Sequence, residues 1–173
     1  MNKAFRFNTH ELPRRAGELK EYQLKIESEK PIGIDVIAVP AGEIDLNLKL
    51  ESVSEGVLVT GDFQVVAKGE CIRCLDPIDL PLDKSFQELY AYSANTEDSE
   101  DEDQLLMDGD FIDLEAPIRD AIILSLPINP LCDEECEGLC PECGQKWRDL
   151  PEDHAHEQID ARWSDLKGLF PEN

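Results

Sequence analysis

Apolar and polar residues alternate along much of the first half of the chain, and this alternation predicts β-strands. The clearest case is 44–51, where Ile44, Leu46, Leu48 and Leu50 alternate with polar residues. A strand with one buried face has this pattern because successive side chains point to opposite sides. Weaker alternation or β-rich composition marks six further segments, at 22–26, 32–39, 57–60, 63–67, 78–82 and 86–92. Together they predict a mostly antiparallel β-body, either a sheet or a partly open barrel.

Two positions within this region refine the prediction. Gly61-Asp62 separates the segments at 57–60 and 63–67, which indicates a hairpin or one bulged strand. Pro81 lies in the alternating segment 78–82 and favours an edge strand or a bulge, because proline has no backbone donor.

Helical patterns replace the alternation in the second half of the chain. Asp113 can cap a helix whose first turn contains Pro117 and which Pro127 stops. A short last helix is predicted from Asp160 to about Leu166. The fold class is therefore α+β, with one or two helices added to the β-body.

The charge is strongly acidic and unevenly placed. The chain has 16 Lys+Arg and 39 Asp+Glu, a net charge of −23, and six of the seven residues in 97–103 are acidic. We predict a solvated, mobile acidic loop over 94–110. The predicted division is an N-terminal arm (1–20), a β-rich domain containing the helix and this loop (21–131), and a C-terminal module (132–173).

This charge narrows the choice of partners and of compartment. A body this acidic repels phosphate backbones, so direct nucleic-acid binding is disfavoured and a basic protein partner is favoured. No apolar export or membrane segment is visible, and the longest apolar stretch, 121–128, is interrupted by Pro127. We expect a soluble cytoplasmic protein, in which six cysteines indicate metal ligands before disulfides.

The cysteines fall in pairs, and two histidines follow them. The metal-ligand candidates are Cys71, Cys74, Cys132, Cys136, Cys140, Cys143, His154 and His156. A C-x-x-C turn presents two sulfurs to one ion, and residues i and i+2 of an extended segment point to the same side. Eight ligands fill two tetrahedral zinc sites, and four-ligand sites are structural. His10 is interpreted as a surface histidine.

Several alternatives for these residues stay open. The favoured pairing joins Cys71 and Cys74 to Cys132 and Cys136, and leaves the remaining four ligands to a second ion. A rival pairing puts the four cysteines of 132–143 on one ion. The cysteines could also be buried thiols without metal, and the two histidines could belong to an exposed polar turn.

Catalysis is the less favoured function class. A three-coordinate second site with bound water, and Glu152 or Glu157 as base, would make a zinc-dependent hydrolase. No substrate-fixing motif accompanies it, and neither a phosphate-binding glycine loop nor a serine elbow occurs. Thiol redox chemistry at Cys71 and Cys74 is disfavoured because this turn follows a β-segment and does not open a helix.

Three stretches resemble one known family. The motif 69–75 (GECIRCL) with Pro77, the stretch 127–144, and the closing 159–163 (IDARW) are similar to the YceD family, the large ribosomal RNA subunit accumulation proteins. Ala161 replaces the proline that the family usually has there. Many relatives have Cys-x-Cys where this chain has His154-x-His156, which supports the histidines as ligands. Residues 42–58 and the form of the 73–75 turn resemble actinobacterial members.

The resemblance implies a non-enzymatic ribosome-biogenesis factor that supports the synthesis, processing or stability of large-subunit ribosomal RNA. Because the chain is acidic, we expect it to act through a basic ribosomal or RNA-processing protein. The alternatives are a zinc-dependent hydrolase or an accessory of an RNA-processing enzyme. A zinc-ribbon nucleic-acid binder is disfavoured by the charge.

Overall fold

The described residues form an open, antiparallel β-sheet with one helix packed on it. In the computed structural model, which describes residues 3–92 and 104–156, the strands and the helix are, in chain order, β1 (Arg6–Asn8), β2 (Leu19–Ser28), β3 (Ile32–Ile34), β4 (Ile37–Val39), β5 (Gly42–Ser52), β6 (Gly56–Glu70), β7 (Pro77–Ala91), β8 (Phe111–Asp113) and α1 (Glu115–Ile123). Short 3-10 turns lie at Lys3–Phe5 and Trp147–Asp149. The predicted α+β class with a mostly antiparallel sheet is confirmed.

The main sheet is built around β6. Residues 57–64 pair with β5 on one edge, and all of β6 pairs with β7 on the other. Next to β5 comes β2, while the β3–β4 hairpin adds to the far end of β6 beyond β5. The two segments at 57–60 and 63–67 are therefore one continuous strand and not a hairpin. Gly61 lies within it because an added Cβ there would collide with the ring of Phe86.

One face of this sheet is the core and the other is polar. On β5, Ile44, Leu46, Leu48 and Leu50 are at most 2% exposed, as the strict alternation predicts. The helix covers this face with Ile118 and Ile122, and the opposite face presents exposed residues such as Asp45 and Asp62. The sheet therefore has the one buried face that the period of two indicates.

The predicted strand at 32–39 is two strands. Residues 35–36 form a turn between β3 and β4, and the register pairs Ile32 with Val39. Asp35 favours a turn there, but one such residue within a mostly apolar segment is too weak a signal to divide the predicted strand. Pro81 lies on β7, whose second edge is unpaired over most of its length within the described residues, as expected for an edge strand.

The helix is shorter than predicted. The Asp113 side chain accepts a hydrogen bond from the Glu115 N–H at 2.9 Å, which is the capping role expected of it, although the helix proper starts after Leu114. The helix ends at Ile123 and not at Pro127, because 124–126 continue as a turn. Tyr90 on β7 donates its hydroxyl to the Asp113 carbonyl and so holds the sheet edge against the helix start. No helix in the described part of the chain is long and apolar enough to cross a membrane.

The N-terminal residues pack onto the body. Strand β1 pairs with β8, and Phe5 and Leu12 are 2% and 5% exposed. Cys71 and Cys74 lie beside Cys132 and Cys136 at the other end of the molecule. The three-part division at residues 20 and 131 stays a prediction, and contacts cross both of its boundaries. The predicted last helix at 160–166 and residues 94–103 of the predicted mobile loop lie outside the described residues. The rest of that loop, 104–110, is held to the sheet and is not a free loop: the Met107 N–H donates to the Ala91 carbonyl at 3.0 Å, and Leu105 and Met107 pack against the core.

Candidate metal centres

The first C-x-x-C turn begins where β6 ends. The Cys71 N–H donates to the Asp76 carbonyl at 2.8 Å, and the Leu75 N–H donates to the Cys71 carbonyl at 2.9 Å. These bonds fold the backbone so that both cysteines point to one side, and Cys71 and Cys74 are 0% and 3% exposed. To close the turn, Leu75 adopts a left-handed conformation with φ 61°. Left-handed backbone is unusual for a leucine and is the ordinary choice of glycine.

The second C-x-x-C turn repeats the first. The Cys140 N–H donates to the Gln145 carbonyl at 2.7 Å, and the Gly144 N–H donates to the Cys140 carbonyl at 2.8 Å. Gly144 has φ 70° and occupies the position that Leu75 occupies in the first turn. The two turns, called knuckle 1 (71–75) and knuckle 2 (140–144) below, are thus the same hydrogen-bonded unit used twice.

Knuckle 1 meets the loop that follows the helix, and four sulfurs come together there. The Sγ atoms of Cys71, Cys74, Cys132 and Cys136 lie within 4.8 Å of one another. The Cys71–Cys136 and Cys74–Cys132 sulfur pairs are 3.8 and 3.4 Å apart. Tetrahedral zinc with Zn–S bonds of about 2.3 Å requires sulfurs about 3.8 Å apart. The donor set and its spacing fit a tetrahedral thiolate centre, called centre 1 below.

The loop is held against knuckle 1 by backbone groups. The Ile72 N–H donates to the Pro130 carbonyl at 3.0 Å, and the Arg73 guanidinium donates to the Cys136 carbonyl at 2.8 Å. Both bonds come from the residues between the two cysteines of the knuckle. They place residues 130–136 over the turn without relying on an ion.

Knuckle 2 meets the two histidines. One donor atom from each of Cys140, Cys143, His154 and His156 lies within 4.8 Å of the others. Cys143 Sγ and His154 Nε2 are 3.6 Å apart, and tetrahedral zinc bound to one sulfur and one imidazole nitrogen requires about 3.6 Å. The Trp147 ring packs edge-on against His154, with 5.5 Å between ring centroids. We call this group centre 2.

The structure therefore divides the eight predicted residues into the two favoured sets. Cys132 and Cys136 lie with knuckle 1, whereas the rival pairing would have placed them with Cys140 and Cys143. That the two groups bind metal stays a prediction. His10 is exposed, and it belongs to neither group.

In each centre, backbone N–H groups lower the pKa of one cysteine and so favour its thiolate form. Burial raises the pKa of the Cys71 thiol, but N–H groups directed at the sulfur, first that of Cys132, lower it to about 6. In centre 2 the N–H of Cys143 is the largest influence and lowers the pKa of Cys140 to about 6. The N–H of Asp76 lowers the pKa of Cys74, but burial and neighbouring thiols outweigh it and raise it to about 12. Several sulfurs crowded together cannot all ionise without a cation to offset their charge.

An ion pair joins the two centres. Asp76 follows knuckle 1, and its carboxylate is paired with Lys146 and, at 2.7 Å, with Arg148. The Lys146 ammonium, followed by the Cys74 thiol, lowers the pKa of the Asp76 carboxyl. The Asp76 side chain is only 17% exposed. Lys146 and Arg148 belong to the segment between Cys143 and His154, so the Asp76 carboxylate holds centre 2 against knuckle 1. We call these two ion pairs the Asp76 joint.

Sequence reasoning missed this joint and the strained Leu75. One signal was present: Arg119 is the only basic residue between Lys84 and Lys146, so the closely spaced Lys146 and Arg148 are conspicuous. Nothing local in the sequence indicates that Asp76 is their partner.

Each centre presents four donor residues, which is a closed set for a tetrahedral ion. Four donors on one ion leave no position for a bound water or substrate, so this donor set suits a cross-link within the chain. Glu152, one of the two bases considered for a hydrolase, is exposed, and Glu157 lies outside the described residues.

The comparisons with known proteins cover the part of the chain that contains both centres. The family model of the large ribosomal RNA subunit accumulation protein YceD matches residues 59–170. An uncharacterized protein of Mycobacterium tuberculosis is 44% identical over 166 residues, covering 94% of this chain and 80% of its own. An uncharacterized protein of Mycobacterium leprae is 37% identical over 168 residues, covering 95% and 76%.

A more distant relative, the uncharacterized protein YlbN of Bacillus subtilis, is 24% identical over 170 residues, covering 96% of this chain and 95% of its own. No solved structure matches. The mycobacterial relatives confirm the actinobacterial resemblance of the sequence. The family match spans both knuckles and both histidines, and the chain belongs to the YceD family of large ribosomal RNA subunit accumulation proteins.

Proposed function

We propose that this chain is a non-enzymatic ribosome-biogenesis factor that supports the synthesis, processing or stability of large-subunit ribosomal RNA. The observation that carries the proposal is membership of the YceD family, whose description names accumulation of that RNA. The closed donor sets of both centres agree with a binding role rather than a catalytic one. Such a role would place the protein in the cytoplasm, where bacterial ribosomes are assembled.

The two centres are proposed to hold structural zinc. Thiolate and imidazole donors with tetrahedral spacing suit this ion. Bound zinc would supply cross-links and no reaction step. At centre 1 the four cysteines would tie the end of β6 to the loop after α1. At centre 2 the two cysteines and two histidines would order the segment from Cys140 to His156. Closed zinc sites contribute folding free energy directly, so Cys71→Ser is expected to unfold this end of the molecule rather than tune its affinity for a partner.

The proposed partner is a basic protein of the ribosome or of RNA processing. The net charge of −23 opposes direct contact with a phosphate backbone. Within the described residues, the loop of centre 1 adds exposed Asp133, Glu134, Glu135 and Glu137. The acidic segment 97–103 is proposed to assist capture, because exposed charge steers a cationic partner over about 8 Å at physiological salt.

The function is tested by depletion in the native cell. Loss of the protein should lower the large-subunit ribosomal RNA relative to the small-subunit RNA, measured by quantitative hybridisation during steady growth. The wild-type gene and an Asp62→Asn variant should restore the ratio, whereas Cys71→Ser should not. Asp62 is a suitable control because it is exposed in the middle of β6 and belongs to neither donor set. An unchanged RNA ratio after depletion would refute the proposal.

A further inference from the structure

An apolar groove of about 460 Å³ lies beside knuckle 1. Its walls come from the β3–β4 hairpin, from the end of β6 and from the knuckle itself. Three large apolar side chains line it while remaining open to solvent: Val36 is 40% exposed, Ile72 44% and Leu75 59%. Exposed apolar residues that share one concave surface indicate a binding site more often than scattered single ones do.

The backbone at Leu75 gives a second, independent reason to assign a function to this groove. Leu75 and Gly144 occupy the same position in two knuckles with the same hydrogen bonds, and both have positive φ. Glycine adopts that conformation without strain, while a leucine is destabilised by it. Burial in this chain does not compensate for the strain, because more than half of the Leu75 side chain is exposed. A strained residue that presents an apolar side chain to solvent fits a recognition role.

The unpaired charges at the rim of the groove are acidic. Asp35 and Glu70 line it and are exposed, and neither forms an ion pair within the described residues. Among the described residues that line the groove, the one lysine, Lys68, lies 3.9 Å from Asp79. The nearby Arg73 guanidinium is turned away to the Cys136 carbonyl. An occupant of this groove would therefore meet apolar contacts in the middle and unpaired carboxylates at the edge.

We propose that this groove binds a short segment of a partner protein in which an aliphatic or aromatic side chain is flanked by lysine or arginine. The apolar side chain packs between the hairpin and Leu75, and the flanking cations pair with Asp35 and Glu70. A polyanion is opposed by the same two carboxylates. A second copy of this chain would bring a net charge of −23 toward them. The inference deepens the proposed function and rests on it for the basic character of the partner.

The test uses the full-length, zinc-loaded protein and a random peptide library displayed on phage. Peptides enriched on the wild-type protein should combine an apolar anchor with lysine or arginine. Leu75→Gly should weaken their binding about tenfold, since a half-exposed leucine that becomes buried contributes about that much. Glycine suits the knuckle, so this variant should keep its zinc content and its thermal midpoint. Leu124→Ser, at an 86% exposed leucine outside the groove, is the matched control and should bind as the wild type does.

Any one of these outcomes overturns the inference: enriched peptides without basic residues, equal binding by Leu75→Gly, equal losses in Leu124→Ser, or a Leu75-dependent dimer in sedimentation. Should Leu75→Gly lose zinc, Ile72→Ser replaces it, because serine keeps the backbone N–H that bonds Pro130. A ribosomal RNA fragment that binds through Leu75 would equally refute a protein ligand. The assay contains no cells, so a groove that binds peptides while depletion leaves ribosomal RNA unchanged would refute the proposed function alone.

Discussion

Replacing Gly138 with alanine is expected to destabilise the protein by about 1–5 kcal/mol. Gly138 is buried between the two centres, has φ 83°, and accepts the Trp147 N–H through its carbonyl at 3.0 Å. An added Cβ would lie 2.9 Å from the Arg73 carbonyl oxygen and 3.2 Å from the Arg73 Cβ. Knuckle 1 and the loop of centre 1 must therefore separate to accommodate a single methyl group.

The magnitude is the sum of three effects. A left-handed conformation destabilises a non-glycine residue by about 1–2 kcal/mol. The reduced freedom of the unfolded chain returns about 0.4–1 kcal/mol of this. Forcing a methyl group into a filled space adds about 1–3 kcal/mol. The last effect is the one that depends on how closely knuckle 1 and the loop of centre 1 are packed.

Gly144→Ala is the matched control. Gly144 has a similar φ of 70°, but an added Cβ there meets no atom within 4 Å. The control therefore includes the conformational effects and lacks the collision, and we expect a loss of about 1 kcal/mol or less. The difference between the two variants measures the close contact between Gly138 and knuckle 1.

Urea denaturation at a fixed excess of free zinc gives both values. Unchanged slopes of unfolding free energy against urea would show that the variants unfold from the same folded state. Equal destabilisation of Gly138→Ala and Gly144→Ala would refute the reasoning, since it would mean that Gly138 does not touch Arg73 in solution.

Three further predictions follow from the centres and the core. Native-purified protein should contain two zinc equivalents by elemental analysis, and the double variant His154→Ala/His156→Ala should contain one. Two equivalents in the double variant would show that the histidines do not bind the second ion. Asp76→Asn should release zinc to a chelator several-fold faster than wild type, while Asp79→Asn should not, because only Asp76 holds Lys146 and Arg148; identical release rates would contradict the joint. Phe5→Ala should lower the unfolding free energy by about 3–5 kcal/mol, because Phe5 is 2% exposed; a change below about 1 kcal/mol would show that residues 1–20 are a free arm.

The sequence predicts the structure correctly where interactions between residues close in the chain determine it. The alternation at 44–51 predicted β5 because burial of one sheet face fixes every second residue. The cysteine pairs within each knuckle followed from their spacing, since a tight turn alone brings two sulfurs together, whereas the choice between the favoured and the rival pairing depends on distant residues. Prediction from the sequence failed where a residue far away in the chain determines the local structure. Gly61 resembles a turn until Phe86 on the neighbouring strand is seen to fill the space where its side chain would be.

Contacts between residues that are distant in the chain also explain most of the other differences between the predicted and the observed structure. The turn at residues 35–36 is marked only by Asp35, and Val36 and the apolar neighbours Ile34 and Ile37 favour a continuous strand instead. Residues 1–20 look polar, yet β8 supplies β1 with a strand partner more than a hundred residues away. The Asp76 joint likewise connects residues 70 positions apart. Such contacts follow from the assembled fold and leave no periodic trace in the chain.

The separation of the two halves of centre 1 along the chain has a consequence for the order of folding. Its sulfur pairs join residues 58 and 65 positions apart, whereas the donors of centre 2 all lie between Cys140 and His156. Closing the longer loop is opposed by more chain entropy. During synthesis the sheet up to β7 leaves the ribosome first, so Cys71 and Cys74 form an open two-sulfur turn until residues 132–136 emerge. Throughout that interval the nascent chain carries reactive thiols that only later translation can enclose.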